Sequence, residues 1–92
     1  MGAHILIADD DQTATNSLIR RLERLRPDYK IFYAANSEQA KDLLAQHKPE
    51  VAIIDLSIDE TIGPESGLNL VLDLLKADST LRVLVLTGHS SD

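Results

Sequence analysis

The sequence contains no cysteine and no tryptophan, and its aromatic residues are two tyrosines and one phenylalanine. Without cysteine the chain cannot form a disulfide, a catalytic thiolate or a cysteine-based zinc site. No apolar run approaches the roughly 18 residues that a membrane-spanning helix needs. The N-terminal segment turns acidic at Asp9, unlike a signal peptide. We therefore expect a cytoplasmic protein that does not insert into a membrane.

Positive charge is also scarce. The 92 residues include 9 lysines and arginines against 15 aspartates and glutamates, which gives a net charge of −6 and a pI of about 4.8. A protein that binds the phosphate backbone needs a basic face, so direct binding of nucleic acid by this chain is not expected. The length and the 43% of hydrophobic residues are typical of one small globular domain.

The hydrophobic pattern alternates between strand and helix. Apolar runs predict strands at 4–8, 29–34, 51–55 and 81–86. Helical spacing predicts helices at 13–25, at 38–47 and after Ser66. The predicted inward-facing residues of these helices are Leu18, Ile19, Leu22 and Leu25 in the first, Ala40, Leu43 and Leu44 in the second, and Leu68, Val71, Leu72 and Leu75 in the third. Ser37 and Ser66 are the predicted N-caps of the second and third helices.

Three of the strands are apolar at consecutive positions, as are strands that are covered on both faces. The predicted fold is therefore α/β, with a doubly wound parallel sheet. Along the chain the predicted elements follow one another as β1-α1-β2-α2-β3-α3-β4. Residues 57–67 form a long acidic loop between the third strand and the third helix.

Polar residues follow three of these strands at the point where each one ends. Asp9, Asp10 and Asp11 follow the first strand, Asp55 ends the third and Thr87 follows the fourth. Ligands bind beyond the carboxyl ends of parallel strands, and clustered carboxylates repel one another unless a cation neutralises them. The pattern predicts a divalent metal site beside a carboxylate nucleophile or ligand. Each residue also has an alternative role. Asp9 and Asp10 could form an N-cap and a solvated turn before the first helix, Asp55 could be a strand-end carboxylate that faces solvent, and Thr87 could be a β-branched residue that ends a strand.

These segments together resemble a known family. ILIADDD at the first strand, VAIIDLS around Asp55, Gly67 opening the third helix and VLVLTGH around Thr87 resemble the receiver domain of bacterial two-component response regulators. The resemblance covers the whole chain. It implies a flavodoxin-like sheet in the order 2-1-3-4. It also implies that residues 1–92 are an incomplete receiver domain, about the first three-quarters of the family fold, which lacks α4, β5 and α5.

The resemblance implies a role for each of these residues. Asp55 would accept a phosphoryl group from a histidine kinase or a phosphotransfer protein, and Thr87 would hydrogen-bond that group. Mg²⁺ would be held by Asp10 directly, by Asp9 through water, by Asp55 and by the backbone carbonyl of Ser57. Side chains at Ser57 and His89 would influence the lifetime of the phosphate, while Asp11 would start or cap the first helix.

The sequence departs from the family pattern in two places. Ile58-Asp59 stands where the family usually has Met-Pro, and the loop that follows is longer than in the family. No lysine follows Lys76, so nothing in the chain matches the family lysine that contacts the phosphoryl group. We therefore expect phosphorylation of Asp55 in this chain to be slow or undetectable.

Three functions remain open from the sequence. The first is a Mg²⁺-dependent phosphoacceptor in a phosphorelay, which would be a signalling domain rather than an enzyme. The second is a truncated or pseudo-receiver that acts as an interaction or dimerisation module without phosphorylation. The exposed edge of residues 81–86 predicts a homo-oligomer in either case. The third, an aspartate-nucleophile phosphatase, typically has a second aspartate two residues after the nucleophile, where this chain has Ser57.

Overall fold

Strands and helices alternate along the chain in a computed structural model that describes residues 2–59, 63 and 65–86. The elements are β1 (His4–Ala8), α1 (Gln12–Leu25), β2 (Lys30–Ala34), α2 (Ser37–His47), β3 (Val51–Asp55), α3 (Ser66–Ala77) and β4 (Arg82–Leu86). The predicted sequence of elements is confirmed, and each predicted bound lies within one residue of the observed bound. None of the described helices combines the length and apolarity that spanning a membrane requires.

The four strands form one parallel sheet in the order β2-β1-β3-β4, which confirms the predicted fold class. A helix connects each strand to the next, as parallel pairing requires. The register aligns Ala8 of β1 with Ala34 of β2 and with Ile54 of β3. The residues that follow β1 and end β3 therefore meet at one edge of the sheet.

The core lies between the sheet and helices α2 and α3. Strand residues Leu6 and Ile54 pack there with Leu70 and Leu74 of α3, and all four are almost fully buried. Burying a leucine or isoleucine side chain contributes about 1.5–3 kcal/mol, so this layer stabilises the fold most. The inward-facing residues predicted for α2 are confirmed: Ala40 and Leu44 are buried, and Leu43 packs against the same core.

The apolar stripe predicted for α3 is wrong in part. Val71 is buried as predicted, but Leu68 and Leu72 are 49% and 50% exposed. The buried stripe consists of Gly67, Leu70, Val71 and Leu74. A Cβ at Gly67 would lie 2.7 Å from the carbonyl carbon of Leu56, so glycine allows the first turn to approach the end of β3. This contact sets which face of α3 meets the sheet.

Two predicted helix caps are also wrong. Asn36, not Ser37, caps α2, and its extended backbone (φ −153°) lets its side chain accept a 2.9 Å hydrogen bond from the Gln39 N–H. Glu65 precedes α3 without a side-chain cap, and Ser66 is already helical. Asp11 does cap α1, as predicted, by accepting from the Ala14 N–H at 3.2 Å.

Helix α1 covers the opposite face of the sheet. Ile5 and Ile7 are buried on that face, but the predicted stripe of α1 is only half-buried, and Leu25 is 74% exposed. Within the described residues, α2 and α3 contact each other on the other face, and no helix packs closely beside α1. The last turn of α1 therefore leaves its leucine in solvent.

Candidate functional site

Three of the predicted site residues lie together at the carboxyl edge of the sheet. Asp9 and Asp10 follow β1, and Asp55 ends the neighbouring strand β3. One carboxylate oxygen from each of the three lies within 4.8 Å of the other two. The parallel register of β1 and β3 produces this cluster, because it aligns the two strand ends.

Asp9 is held in place by three hydrogen bonds. Its N–H donates to the carbonyl oxygen of Ala34 at 3.0 Å, and its own carbonyl oxygen accepts from the Tyr33 hydroxyl at 2.6 Å. Its carboxylate accepts from the Asp11 N–H at 2.9 Å. The chain therefore leaves β1 along a fixed path into the N-terminus of α1.

Asp55 is the most buried carboxylate of the cluster, with 9% of its surface exposed. Its side chain accepts a 3.0 Å hydrogen bond from the Ser57 N–H, and its carbonyl oxygen accepts from the Ile58 N–H at 3.0 Å. These bonds define a turn directly after β3. The first one orients the carboxylate toward the strand end, where an incoming group can reach it.

The electrostatics of the cluster are unfavourable without a cation. Burial raises the pKa of the Asp9 carboxyl above its usual value, and the charges of Asp55 and Asp10 raise it further, against the opposing effect of the Asp11 N–H. A cation would relieve this repulsion. Mg²⁺ prefers oxygen ligands and typically takes one or two carboxylates directly, so Asp10 and Asp55, with Asp9 acting through water, would fit the predicted metal.

Sequence reasoning missed two side chains that support the site. The hydroxyl of Tyr33 on β2 donates to the backbone carbonyl of Asp9, 24 residues away along the chain. Asp59, expected in a solvated loop, accepts a 2.9 Å hydrogen bond from the Ser37 N–H and has a left-handed backbone (φ 56°). No local sequence signal marks either contact, because both partners are distant along the chain.

Two predicted residues lie outside the described residues, and two other histidines lie away from the cluster. Thr87 and His89 are not among the residues that the structure describes, so their predicted roles stay predictions. His4 and His47 flank the ring of Phe32, at centroid distances of 5.6 and 4.1 Å. Since His4 begins β1 and Asp9 follows its end, these two histidines lie away from the acidic cluster.

Known proteins are similar to this chain in sequence and in architecture. Residues 5–92 match the family model of the response regulator receiver domain. The response regulator MprA of Mycobacterium sp. (strain KMS) is 30% identical over 91 residues, 99% of this chain, and the chain spans 37% of that protein's length. The sporulation initiation phosphotransferase F of Bacillus subtilis (strain 168) is 27% identical over 97% of this chain and 67% of its own length.

A solved structure shows the same fold. It is a response regulator protein from Burkholderia pseudomallei with a phosphorylated aspartic acid, a calcium ion and citrate. That protein is 34% identical to this chain, with a TM-score of 0.80 over 97% of this chain and 49% of the solved one.

Proposed function

The chain belongs to the response regulator receiver domain family, and from this premise we propose that it is a phosphoacceptor in phosphorelay signalling, with Asp55 carrying the phosphoryl group. The observation that supports this most is the position of Asp55 at the end of β3, beside the carboxylates of Asp9 and Asp10. The phosphorylated aspartic acid of the Burkholderia pseudomallei relative adds support. Receiver domains are signalling domains rather than classical enzymes, so the output would be changed protein contacts.

The proposed reaction needs only one nucleophile from this chain. A carboxylate oxygen of Asp55 would attack the phosphorus of a phosphohistidine on a histidine kinase or phosphotransfer protein. The bond from phosphorus to the imidazole nitrogen would break, and its electron pair would stay on that nitrogen. Because phosphoryl transfer depends mainly on positioning and on neutralising charge, a well-held carboxylate beside a cation site suits it.

The metal of this site would be Mg²⁺, held by Asp10, by Asp9 through water, by Asp55 and by the Ser57 carbonyl. When bound it would neutralise negative charge on the carboxylates and on the phosphoryl oxygens. The hydrogen bond from the Ser57 N–H to Asp55 supports this arrangement, since it holds the turn next to the nucleophile. Thr87 would hydrogen-bond the phosphoryl group and so report that it is present.

Mass measurement tests the role of Asp55. We would incubate the chain with a small phosphodonor such as acetyl phosphate, with and without Mg²⁺, and follow its intact mass over hours. The expected result is Mg²⁺-dependent gain of one phosphoryl group by the chain. Asp55→Asn should abolish the gain. Asp42→Asn, which removes an exposed carboxylate from α2, should leave it unchanged.

A second candidate function is supported by the exposed strand β4. Leu84, Val85 and Leu86 are 55%, 38% and 41% exposed, which is unusual for consecutive apolar residues of a parallel sheet. Exposed apolar surface of this kind marks interaction sites. The chain would then bind partners or itself without phosphorylation. No phosphoryl gain at any time, together with a stable oligomer, would favour this function over the first.

A further inference from the structure

Tyr33 connects strand β2 to the acidic cluster. Its hydroxyl donates a 2.6 Å hydrogen bond to the carbonyl oxygen of Asp9, and the next residue, Ala34, accepts from the N–H of Asp9 at 3.0 Å. Both backbone polar groups of Asp9 are therefore bound to β2. Among the described residues, the Tyr33 hydroxyl is the one donor found for that carbonyl oxygen.

The surroundings of Tyr33 keep this contact in place. The side chain is half-buried, and Tyr33 pairs in register with Ile7 of β1, two residues before Asp9. Burial raises the pKa of the Tyr33 phenol, and the negative charges of Asp9, Asp10 and Asp11 raise it further, so the hydroxyl keeps its proton and remains a donor. A phenylalanine would pack in the same space but leave the carbonyl without this donor.

We infer that Tyr33 is a positioning residue for the metal site, which it controls through the backbone of Asp9. By fixing the carbonyl of Asp9, the hydroxyl fixes the direction in which the chain leaves β1, and with it the carboxylates of Asp9 and Asp10 relative to Asp55. Mg²⁺ demands near-ideal octahedral geometry, so loosening these ligands weakens binding. The inference rests on the proposed function, since it assumes that this cluster holds Mg²⁺.

Magnesium affinity tests the role of Tyr33, with the other tyrosine of the chain, Tyr29, as the matched control. We would titrate Mg²⁺ into the wild-type chain and into Tyr33→Phe, Tyr29→Phe and Asp10→Ala, and follow the backbone NMR signals of residues 9–11 and 55–57. Tyr33→Phe should bind roughly 3- to 10-fold more weakly, because it loses one partly buried hydrogen bond behind the ligands. Tyr29→Phe should match wild type, since Tyr29 stacks on Arg26 outside the cluster. Asp10→Ala, which removes a ligand, should lose the most.

A spectroscopic measurement keeps the inference testable if Tyr33→Phe unfolds. The sequence has no tryptophan and two tyrosines, so Tyr29→Phe leaves Tyr33 as the one tyrosine, whose emission can be excited without exciting phenylalanine. Its emission should change on adding Mg²⁺, with the same midpoint as the NMR titration, because the neighbouring carboxylates become neutralised. Thermal unfolding without metal would show whether each variant is folded.

The outcomes distinguish this inference from the proposed function. Weaker binding in folded Tyr33→Phe, with emission that follows Mg²⁺ in Tyr29→Phe, supports the positioning role. Equal affinity in wild type and Tyr33→Phe, or unchanged emission while NMR shows binding, overturns the role and leaves the phosphoacceptor proposal intact. A wild-type chain that does not bind Mg²⁺ overturns both.

Discussion

At the scale of single residues, the clustered carboxylates impose an electrostatic cost on the folded state. Asp9 has a raised pKa because it is partly buried and lies beside Asp55 and Asp10. A carboxyl whose pKa is higher in the folded state than in the unfolded state is destabilising when ionised. The folded chain keeps a proton that the unfolded chain releases, so the free energy of unfolding falls as pH rises from the unfolded value of 3.8 to the folded pKa.

Asp9→Asn should therefore stabilise the chain at neutral pH. The amide oxygen can still accept from the Asp11 N–H, so the substitution removes the charge and keeps the hydrogen bond. We expect a gain of roughly 1 kcal/mol at pH 7 in the absence of divalent metal, the scale of an interaction between partly exposed charges. Urea unfolding monitored by circular dichroism measures it. Below pH 3.8, where both states are protonated, the gain should vanish.

Two further measurements test this explanation. Asp42→Asn, at an exposed position of α2, should change stability little at either pH. Adding Mg²⁺ should stabilise wild type more than Asp9→Asn, because a bound cation offsets the same repulsion. A stabilisation by Asp9→Asn that persists unchanged in acid would show that charge is not its cause.

The sequence predicted the cluster itself but not its support. The proximity of Asp9, Asp10 and Asp55 could be predicted from the sequence, because each of them follows or ends an apolar run and the carboxyl ends of parallel strands meet at one edge of the sheet. The contact from Tyr33 to the Asp9 carbonyl depends on strand register and on a side-chain rotamer, neither of which leaves a pattern in the sequence. Side-chain hydrogen bonds to distant backbone are therefore the part of the site that needed a structure.

At the scale of secondary-structure elements, the start of α2 shows which of two adjacent polar residues caps the helix. Asn36 accepts from the Gln39 N–H, and the Gln39 side chain accepts from the Ala35 N–H at 2.8 Å, so the two residues satisfy donors at both sides of the helix start. Ser37 lies inside the first turn, and within the described residues its hydroxyl oxygen is buried without a hydrogen-bond partner. Ser37 was predicted as the cap because serine favours that position.

Substituting the two residues separately tests which one caps the helix. Asn36→Ala should lower the free energy of unfolding by about 1 kcal/mol, because the Gln39 N–H loses its acceptor. Ser37→Ala should change it by less than about 0.5 kcal/mol or raise it, since it removes a buried hydroxyl that has no partner in the described residues. Urea unfolding of both variants gives the difference. A larger loss in Ser37→Ala than in Asn36→Ala would contradict the observed cap.

Helix α3 shows where periodicity stops being informative. Its sequence carries leucine at positions 68, 70, 72, 74 and 75, so two overlapping stripes both have helical spacing. The contact between Gly67 and the backbone of Leu56 decides between them, because it sets the rotation of the first turn. The existence and bounds of a helix follow from its pattern, whereas its rotation depends on a contact with another element.

At the scale of the whole molecule, strand alternation was enough to predict the parallel sheet and its class. The sequence did not predict which residues of β4 direct their backbone groups away from the sheet. Within the described residues β4 is an edge strand, and Arg82 donates its N–H to Glu50 while the Leu86 carbonyl accepts from Leu56. Even-numbered residues of β4 thus direct their backbone groups to β3, and the N–H groups of Val83 and Val85 point away from it.

This geometry identifies the substitution that tests self-association. We expect the chain to form a dimer through the exposed edge and apolar side chains of β4, most simply as a symmetric pair. Val85→Pro removes an outward N–H and spares pairing with β3, whereas Val83 also packs against the core. A symmetric dimer loses two hydrogen bonds, so its dissociation free energy should fall by about 2 kcal/mol. Val85→Ala keeps the N–H and should retain most of the dimer.

Sedimentation at micromolar concentration compares wild type with these two variants, while circular dichroism shows that the sheet persists. If Val85→Pro becomes monomeric and Val85→Ala stays dimeric, the backbone of the β4 edge carries the association. If both dissociate, the exposed side chains Leu84, Val85 and Leu86 carry it, since 38–55% of each is available for contact. An exposed apolar edge strand is expected to associate. A wild-type chain that is monomeric and unfolds in one sharp transition would therefore contradict the predicted dimer.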